Sequence, residues 1–504
     1  MGFSIIPYSI ENLEELFSDK TNTSRGLIKK KLHIIYFESY FAKLEAKTIL
    51  IEEDYIDRDY LEDFSYYYVK SFKSYKRFCV RLHFFTLEIS DGDFNGFLGG
   101  IDNCLSLKSL QDNYLGFVVL KPLPQTFIGR TCLKTYPSEN IRYYPFIRAY
   151  DVNLFGIRLS VNSIAFQEQD SIVAACASSA IWSAFQATGM LFQHSIPSPV
   201  EITKGALKYF PYANRHFPNK GLTAEQMAHA IRNVGLEPFL INASEKANVK
   251  AIIYAYLKAK IPLVLGLNLI NVNLDANGYV FGKHAVTITG FLMGDDLEKY
   301  NNDEFYLTSS RIRKVYAHDD QVGPFARMEF NEINNRLSTS WTDQNGLMGN
   351  VVAEPEILII PIYRKIRIPY NVILSIISDL NILIRLIDEK LNIGFSNIEW
   401  DIFLSNSNDF KTEIFESDKL DEKQKIEILN TPFPKYVWRA VAIYGSDKFE
   451  LLFDSTDLEQ GDIFLKSISY SGELPNLLKV LAIYIPLDFI PSFQVRQILS
   501  EIKK

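Results

Sequence analysis

Gln169-Asp170-Ser171-Ile172-Val173-Ala174-Ala175-Cys176-Ala177-Ser178-Ser179-Ala180-Ile181-Trp182 places a thiol where a polar turn gives way to small and apolar residues. That run reads as a helix over Ala177 to Thr188, closed by Gly189. Further on, Gly282-Lys283-His284-Ala285-Val286-Thr287-Ile288-Thr289-Gly290 alternates like a strand, and Val315-Tyr316-Ala317-His318-Asp319-Asp320 ends another. A thiol at a helix N-terminus, followed by a His and an Asp on separate strands, is how an activated cysteine nucleophile is assembled. The helix terminus and a neighbouring imidazolium favour the thiolate. The imidazole then serves as general acid to the leaving group, and a carboxylate on its other nitrogen fixes its tautomer. Cys176 is therefore the candidate nucleophile, His284 the acid and base, and Asp319 the orienting acid. The oxyanion is expected at the Cys176 backbone N–H and one side-chain donor from the preceding turn. Taken singly, each residue has a plainer reading: a small buried thiol, a structural His at a strand edge. The ordered set favours catalysis.

Around this centre, the elements predict an α+β domain. Ser198-Pro199-Val200-Glu201 starts a helix, and Thr223-Ala224-Glu225-Gln226 is a capping box for another that ends at Gly235. A helix around Val249 to Lys258 precedes a buried strand, Ile261 to Leu267. A further strand is expected from Phe305 to Thr308, continuing toward Tyr316. This domain is expected to span 151–335, between an N-terminal α+β domain over 1–150 and a C-terminal one over 336–504. In the first, Leu32-His33-Ile34-Ile35-Tyr36-Phe37 and Leu115 to Leu120 look like strands, and Cys79 like a strand core position. The acidic run Glu52 to Tyr60 reads as a solvated face, or as a docking surface for a basic partner. Gly129-Arg130-Thr131 is a weak phosphate-loop fragment. In the last domain a long amphipathic helix is expected over Asn371 to Leu391, with strands at Tyr436 to Tyr444 and Phe449 to Phe453. Asp454-Ser455-Thr456-Asp457 reads as a turn rather than a metal site.

Composition excludes several classes. The chain has 504 residues, 47% hydrophobic and 22% charged, so it can bury two or three cores and is not disordered. A net charge of -7 argues against a nucleic-acid surface. Four cysteines (Cys79, Cys104, Cys132, Cys176) without a Cys-x-x-Cys pair suggest neither a disulfide framework nor zinc. No signal peptide or bilayer-spanning apolar run is recognised, so a soluble, cytoplasmic protein with no membrane partner is expected.

The middle domain resembles the papain-like cysteine peptidases, in particular the bacterial branch that includes the bacteriocin-processing, double-glycine-leader peptidases. Gln167-Glu168-Gln169-Asp170 ahead of Cys176, Gly282-Lys283-His284-Ala285-Val286, Tyr316-Ala317-His318-Asp319-Asp320 and the Gly221-Leu222-Thr223-led helix carry the resemblance, over roughly 165 to 335. It implies a papain-like core, a Cys-bearing helix packed on an antiparallel sheet, between the two flanking domains. It also implies a bacterial cytoplasmic thiol protease that cuts a peptide or isopeptide bond in a protein substrate, with no cofactor or metal. The flanking domains would present that substrate or bind a regulatory protein partner. The same triad would serve an acyltransferase or transglutaminase-type enzyme, and a catalytically inactive binding module could share the fold. Three positions depart from the family pattern. Asp170 stands where the oxyanion Gln usually lies, six residues before Cys, which leaves Gln169 as the chosen donor and Gln167 beside it. Ala177 replaces a Gly, and Lys283 separates Gly282 from His284. Asp319 matches the family Asp best; Asp320 is the alternative third member, and His318 a spectator.

Overall fold

The computed structural model describes residues 2–101, 105–137, 141–170, 175–208, 221–272, 279–299, 305–331, 335–341, 351–391, 398–470 and 472–503. The chain is mixed α+β with several antiparallel sheets. It forms two compact units: Met1–Ser244 with Pro262–Leu292 and Lys314–Pro361, and Glu245–Ile261 with Met293–Arg313 and Ile362–Lys504. Boundaries near 150 and 335 are therefore replaced by this interleaved division. The physical reason is strand pairing: Val351–Ile362 runs antiparallel to Leu263–Asn271 from Asn271↔Val351 to Val264↔Ile359, so the sheet that carries His284 is completed only after residue 335. At the other end, Tyr60, Phe117 and Cys132 share one core with Ala177, Trp182 and Phe185, so the N-terminal segment is built onto the nucleophile helix.

In the first unit, Phe3–Pro7, Thr48–Tyr55, Cys79–Phe85, Tyr114–Leu120 and Ile128–Leu133 form a five-stranded antiparallel sheet in chain order. Leu32–Phe37, expected as a strand, lies in a helix, Leu32–Lys43, whose buried Ile34, Phe37, Tyr40 and Phe41 recur at helical spacing. Six apolar residues alone do not separate the two periods; the wider window does. This helix packs with Phe17 on the sheet face of Leu82, Phe84 and Val118. Much of the acidic run is paired inside the fold rather than forming a solvated face. Asp57 caps the helix Arg58–Tyr66, accepting from Tyr60 N at 3.0 Å, and buried Asp59 takes Arg130 Nη2 at 2.7 Å. Glu52 pairs with Arg81 at 2.6 Å. Arg130, committed to Asp59, is accordingly a strand residue and not part of a phosphate loop.

The sheet that carries the site has eight strands. Leu263–Asn271, Tyr279–Met293, Ile312–Asp319, Gly323–Phe330, Leu337–Ser338 and Val351–Ile362 pair in that order, and the last returns to the first, closing a small barrel. Closure removes the strand edges that an open sheet would leave. Glu237–Asn242 adds to Val351–Ile362, and Arg142–Tyr143 to Phe291–Leu292. The helix Cys176–Phe192 packs on this sheet, with Thr287 Oγ1 donating to the Ala180 carbonyl at 2.5 Å. It runs past Gly189, which is not its C-cap. A Cβ at Gly189 would lie 2.7 Å from Ile196, so the glycine serves close packing, and Gln193 at φ 57° ends the helix. The next helix, Pro199–Leu207, starts at Ser198 and Pro199 as expected, but buried Asp63 accepts from its Val200 N–H at 3.3 Å, without a side-chain cap from Ser198.

In the second unit, Glu399–Asn406, Tyr436–Tyr444, Asp447–Asp454 and Phe464–Ser469 form an antiparallel sheet. Tyr306–Leu307 joins it in parallel beside Glu399 and Trp400, rather than continuing the histidine sheet as expected. Asp454 accepts from Thr456 N at 3.0 Å, the turn that its sequence suggested. The helix Tyr370–Leu391, mean hydropathy 1.6 over its most apolar window, is long and apolar enough to cross a membrane, contrary to the expectation that no segment would be. It buries Ile373, Leu374, Ile377, Leu380 and Ile384, the pattern of a core helix.

Candidate active site

Cys176 is the first residue of its helix and half-buried, whereas Cys79 and Cys132 are buried in the N-terminal core. Burial pushes Cys132 up to about 12 and Cys79 further still, so neither competes as a thiolate. Cys104 and the turn at 171–174 lie outside the described residues. The N-cap, Ala175, offers no side-chain oxygen, and the first turn holds no acid. The helix N–H groups there remain available to an incoming anion.

His284 lies on the strand Tyr279–Met293, opposite Leu267. Its Nε2 is 2.9 Å from Asp319 Oδ1 and 3.6 Å from Asp320 Oδ1. The Cys176 thiol lies beside the same imidazole and favours its protonated form. With Nε2 turned to Asp319, Nδ1 is the nitrogen left for sulfur. The structure thus brings Cys176, His284 and Asp319 together at one site. Burial opposes charge on the His284 ring. The charge and hydrogen bond of Asp319, the neighbouring Cys176 thiol and the charge of Asp320 outweigh that and hold the imidazolium well above its ordinary range.

The two neighbouring acids differ. Burial would raise Asp319, but the His284 charge and hydrogen bond, then the N–H donors of Trp341 and Gln321, bring it below the usual carboxylate range. Asp320 is pushed up to about 6 by burial, against the pull of His284 and with repulsion from Asp319. Its Oδ1 is buried without a hydrogen-bond partner among the described residues. Asp319 is the ionised member of the pair, Asp320 the reluctant one. Buried His318, wedged edge-on between Phe166 and Phe325, is pushed down to about 3 by desolvation and is a neutral spectator.

His284, Asp319 and Asp320 also have ligand atoms within 4.8 Å of one another, a possible metal set by distance. The donors argue otherwise: His284 Nε2 and Asp319 Oδ1 face each other, and Asp319 Oδ2 already accepts an N–H.

Three features were not legible as site features from the motifs. The first is Trp341. Its Nε1 donates to Asp319 Oδ2 at 2.8 Å, and its ring lies 4.7 Å from the His284 imidazole at 67°. It orients the carboxylate and covers the ring from water. Trp341→Phe keeps the cover and removes the donor, so turnover is expected to fall about tenfold with KM little changed; steady-state kinetics on a cleaved peptide would show the split. The second is the helix Leu32–Lys43. His33 lies beside the Asp319–Asp320 turn, and Tyr36 packs on Gly323, where φ is +147° and a Cβ would come within 2.8 Å of the ring. Lys31 pairs at 2.5 Å with Glu168, which also accepts from Ile128 N at 3.0 Å. One N-terminal element therefore holds both the aspartate turn and the segment leading to Cys176.

The third concerns the oxyanion donor. Gln169 is half-buried, and neither it nor Gln167 is among the residues lining the cavity beside Cys176. Asp170 is buried and accepts from the Tyr68 hydroxyl. Gln167 holds a buried amide nitrogen with no partner among the described residues, the unspent donor of the set.

Cys176 and His284 open onto a cavity of about 660 Å³ walled by Leu222, Met227, Leu267 and Ile357. Thr223 caps the helix Ala224–Asn233 in a capping box with Gln226, as expected, which fixes the Gly221-Leu222-Thr223 wall. The exposed pair Lys283–Glu356, 2.5 Å apart, stands at its rim.

Comparison of the chain with models of known protein families and with curated protein sequences finds no match. The site is read from its own geometry.

Proposed function

We propose that the chain is a cysteine peptidase with a papain-like core, hydrolysing a peptide or isopeptide bond in a polypeptide. The observation that carries this reading is the thiol at a bare helix N-terminus, beside an imidazole that is itself held by an ionised carboxylate, at the wall of a cavity of substrate size. Cys176 sulfur attacks the scissile carbonyl carbon, and the oxyanion meets the backbone N–H of Cys176. The C–N bond breaks as His284 passes its proton to the leaving amine, leaving a thioester. Water, losing a proton to His284, then adds to the thioester; the C–S bond breaks, the acid departs and the Cys176–His284 pair is restored.

The test is a digest of protein-derived peptides by the full chain, with new termini mapped by mass spectrometry. Wild type should generate free carboxyl termini, and Cys176→Ala none above background. Equal cleavage by both would overturn the mechanism. Products capped by an added amine, with no free acid, would replace hydrolysis by acyl transfer.

A further inference from the structure

We infer that residues 69–74 form a crest that docks on an anionic lipid bilayer, with Phe72 entering the interface and the cations around it resting on headgroup phosphates. This inference stands apart from the peptidase reading.

The sequence holds no acid between Asp63 and Glu88, while Lys70, Lys73, Lys76, Arg77 and Arg81 fall in that stretch. The net charge of -7 conceals this segregation. Arg81 is committed to Glu52, but the other four cations are exposed and have no carboxylate partner among the described residues. The fold then shapes the segment. Buried Tyr68 donates its hydroxyl to Asp170, on the segment that leads to Cys176. Its ring meets that of Tyr75 edge-on at 5.1 Å, and the Lys76 carbonyl accepts from the Tyr60 hydroxyl at 2.8 Å. Tyr68 and Tyr75 are thus two feet drawn together, and the residues between them close a loop above the contact. Within that loop only Ser71 is half-buried; the rest are exposed. Phe72 stands near its midpoint and is wholly exposed, with Val69 58% exposed beside the first foot.

A pinned apolar crest among unpaired cations is what an anionic bilayer accepts: the ring leaves water, and the ammonium groups meet phosphates. Tyr66 and Tyr67, exposed at the foot, add amphipathic rings of the kind that settle at headgroup level. Such docking needs no spanning segment, so the expectation of no membrane partner, which weighs spans alone, does not bear on it. Other anionic partners fit less well. A stable protein interface buries about 800 Å² on each side, more than so short a loop presents. Single-stranded nucleic acid follows a basic groove and stacks its bases on open rings. Here Tyr68 and Tyr75 turn their rings to each other, and Tyr66 already carries the Lys204 ammonium at 4.8 Å. The groove lined by Lys73 and Lys76 also holds Asp19, Glu53 and Asp54, which repel a phosphate strand.

The experiment is co-sedimentation of the full chain with vesicles of phosphatidylcholine alone, or of phosphatidylcholine and phosphatidylglycerol in equal parts, over a range of salt. Wild type should bind the mixed vesicles at least tenfold more tightly than the neutral ones, and binding should weaken as salt rises. Replacing Lys70, Lys73, Lys76 and Arg77 together by alanine should cost at least tenfold on mixed vesicles. Phe72→Ser should cost about fivefold and leave a residue of binding that salt abolishes, because only the charge attraction then remains. All five side chains are exposed, so both variants should melt with wild type, and the losses are then not due to unfolding. Equal binding to the two vesicle types, or a fourfold alanine variant that binds like wild type, would overturn the inference. Indifference to Phe72→Ser would remove the crest from it. Tighter binding to a single-stranded oligonucleotide than to the mixed vesicles would replace the bilayer by nucleic acid.

Discussion

Replacing His284 by alanine should lower peptide hydrolysis by about 10³–10⁴-fold, with KM changed far less. The size follows from the double duty of the ring. One nitrogen is bonded to Asp319 and the other is left for the Cys176 thiol, so its loss removes both the proton donor to the leaving amine and the link that transmits the carboxylate's orientation. The ring is buried beneath Trp341, so the variant also leaves a void and an ionised Asp319 without its main counter-charge. Thermal unfolding run beside the kinetics separates these effects: a folded variant with a lowered melting temperature and a thousandfold loss of turnover fits the account. Turnover within tenfold of wild type in a folded variant would remove His284 from the mechanism.

Asp319→Asn and Asp320→Asn should part company just as sharply. Asn at 319 turns an acceptor of three hydrogen bonds, from His284, Trp341 and Gln321, into a group whose amide end must face one of those donors. The imidazole loses its tautomer and its stabilised charge, so a fall of about 10²–10⁴-fold is expected. Asp320 has a buried Oδ1 that no donor among the described residues satisfies, and its Asn variant should stay within about threefold. The stability effect of that variant has a definite sign. A carboxyl raised to about 6 in the folded state favours folding below its unfolded value near 4, and that contribution is lost as pH rises through 6. Asp320→Asn should therefore melt at higher temperature than wild type above pH 6, by a few degrees, with the gap closing toward pH 4. Melting curves at four or five pH values decide it; a gap that widens in acid contradicts the assignment.

What could be read from sequence was local. Cys176 at a helix start, His284 on an alternating strand and Asp319 at a strand end each sit in a short segment whose pattern states its element, and their order suggests chemistry. Folding supplied the rest over distances that no local pattern spans. Trp341 reaches Asp319 across twenty-two residues, and nothing near it marks a donor. Leu32–Phe37 is too short an apolar run to announce a helix, and so the element that carries His33 and Tyr36 to the aspartate turn stayed hidden. The acidic run 52–60 looks solvated until Arg81 and Arg130 arrive from other strands. The division at 335 failed because Val351–Ile362 closes a barrel begun some eighty residues earlier. Gln169 was chosen by register; the unpartnered buried amide nitrogen of Gln167 is a feature that only the folded chain shows.

The central claim is that Cys176 carries the acyl group. Wild-type chain mixed with an activated peptide ester, quenched in acid within milliseconds and weighed intact, should show one acyl mass lost on hydroxylamine treatment. Peptide mapping should place it on Cys176, with none on Cys79 or Cys132 and none in Cys176→Ala. An acyl group on any other residue, or full ester turnover by Cys176→Ala, would contradict the account.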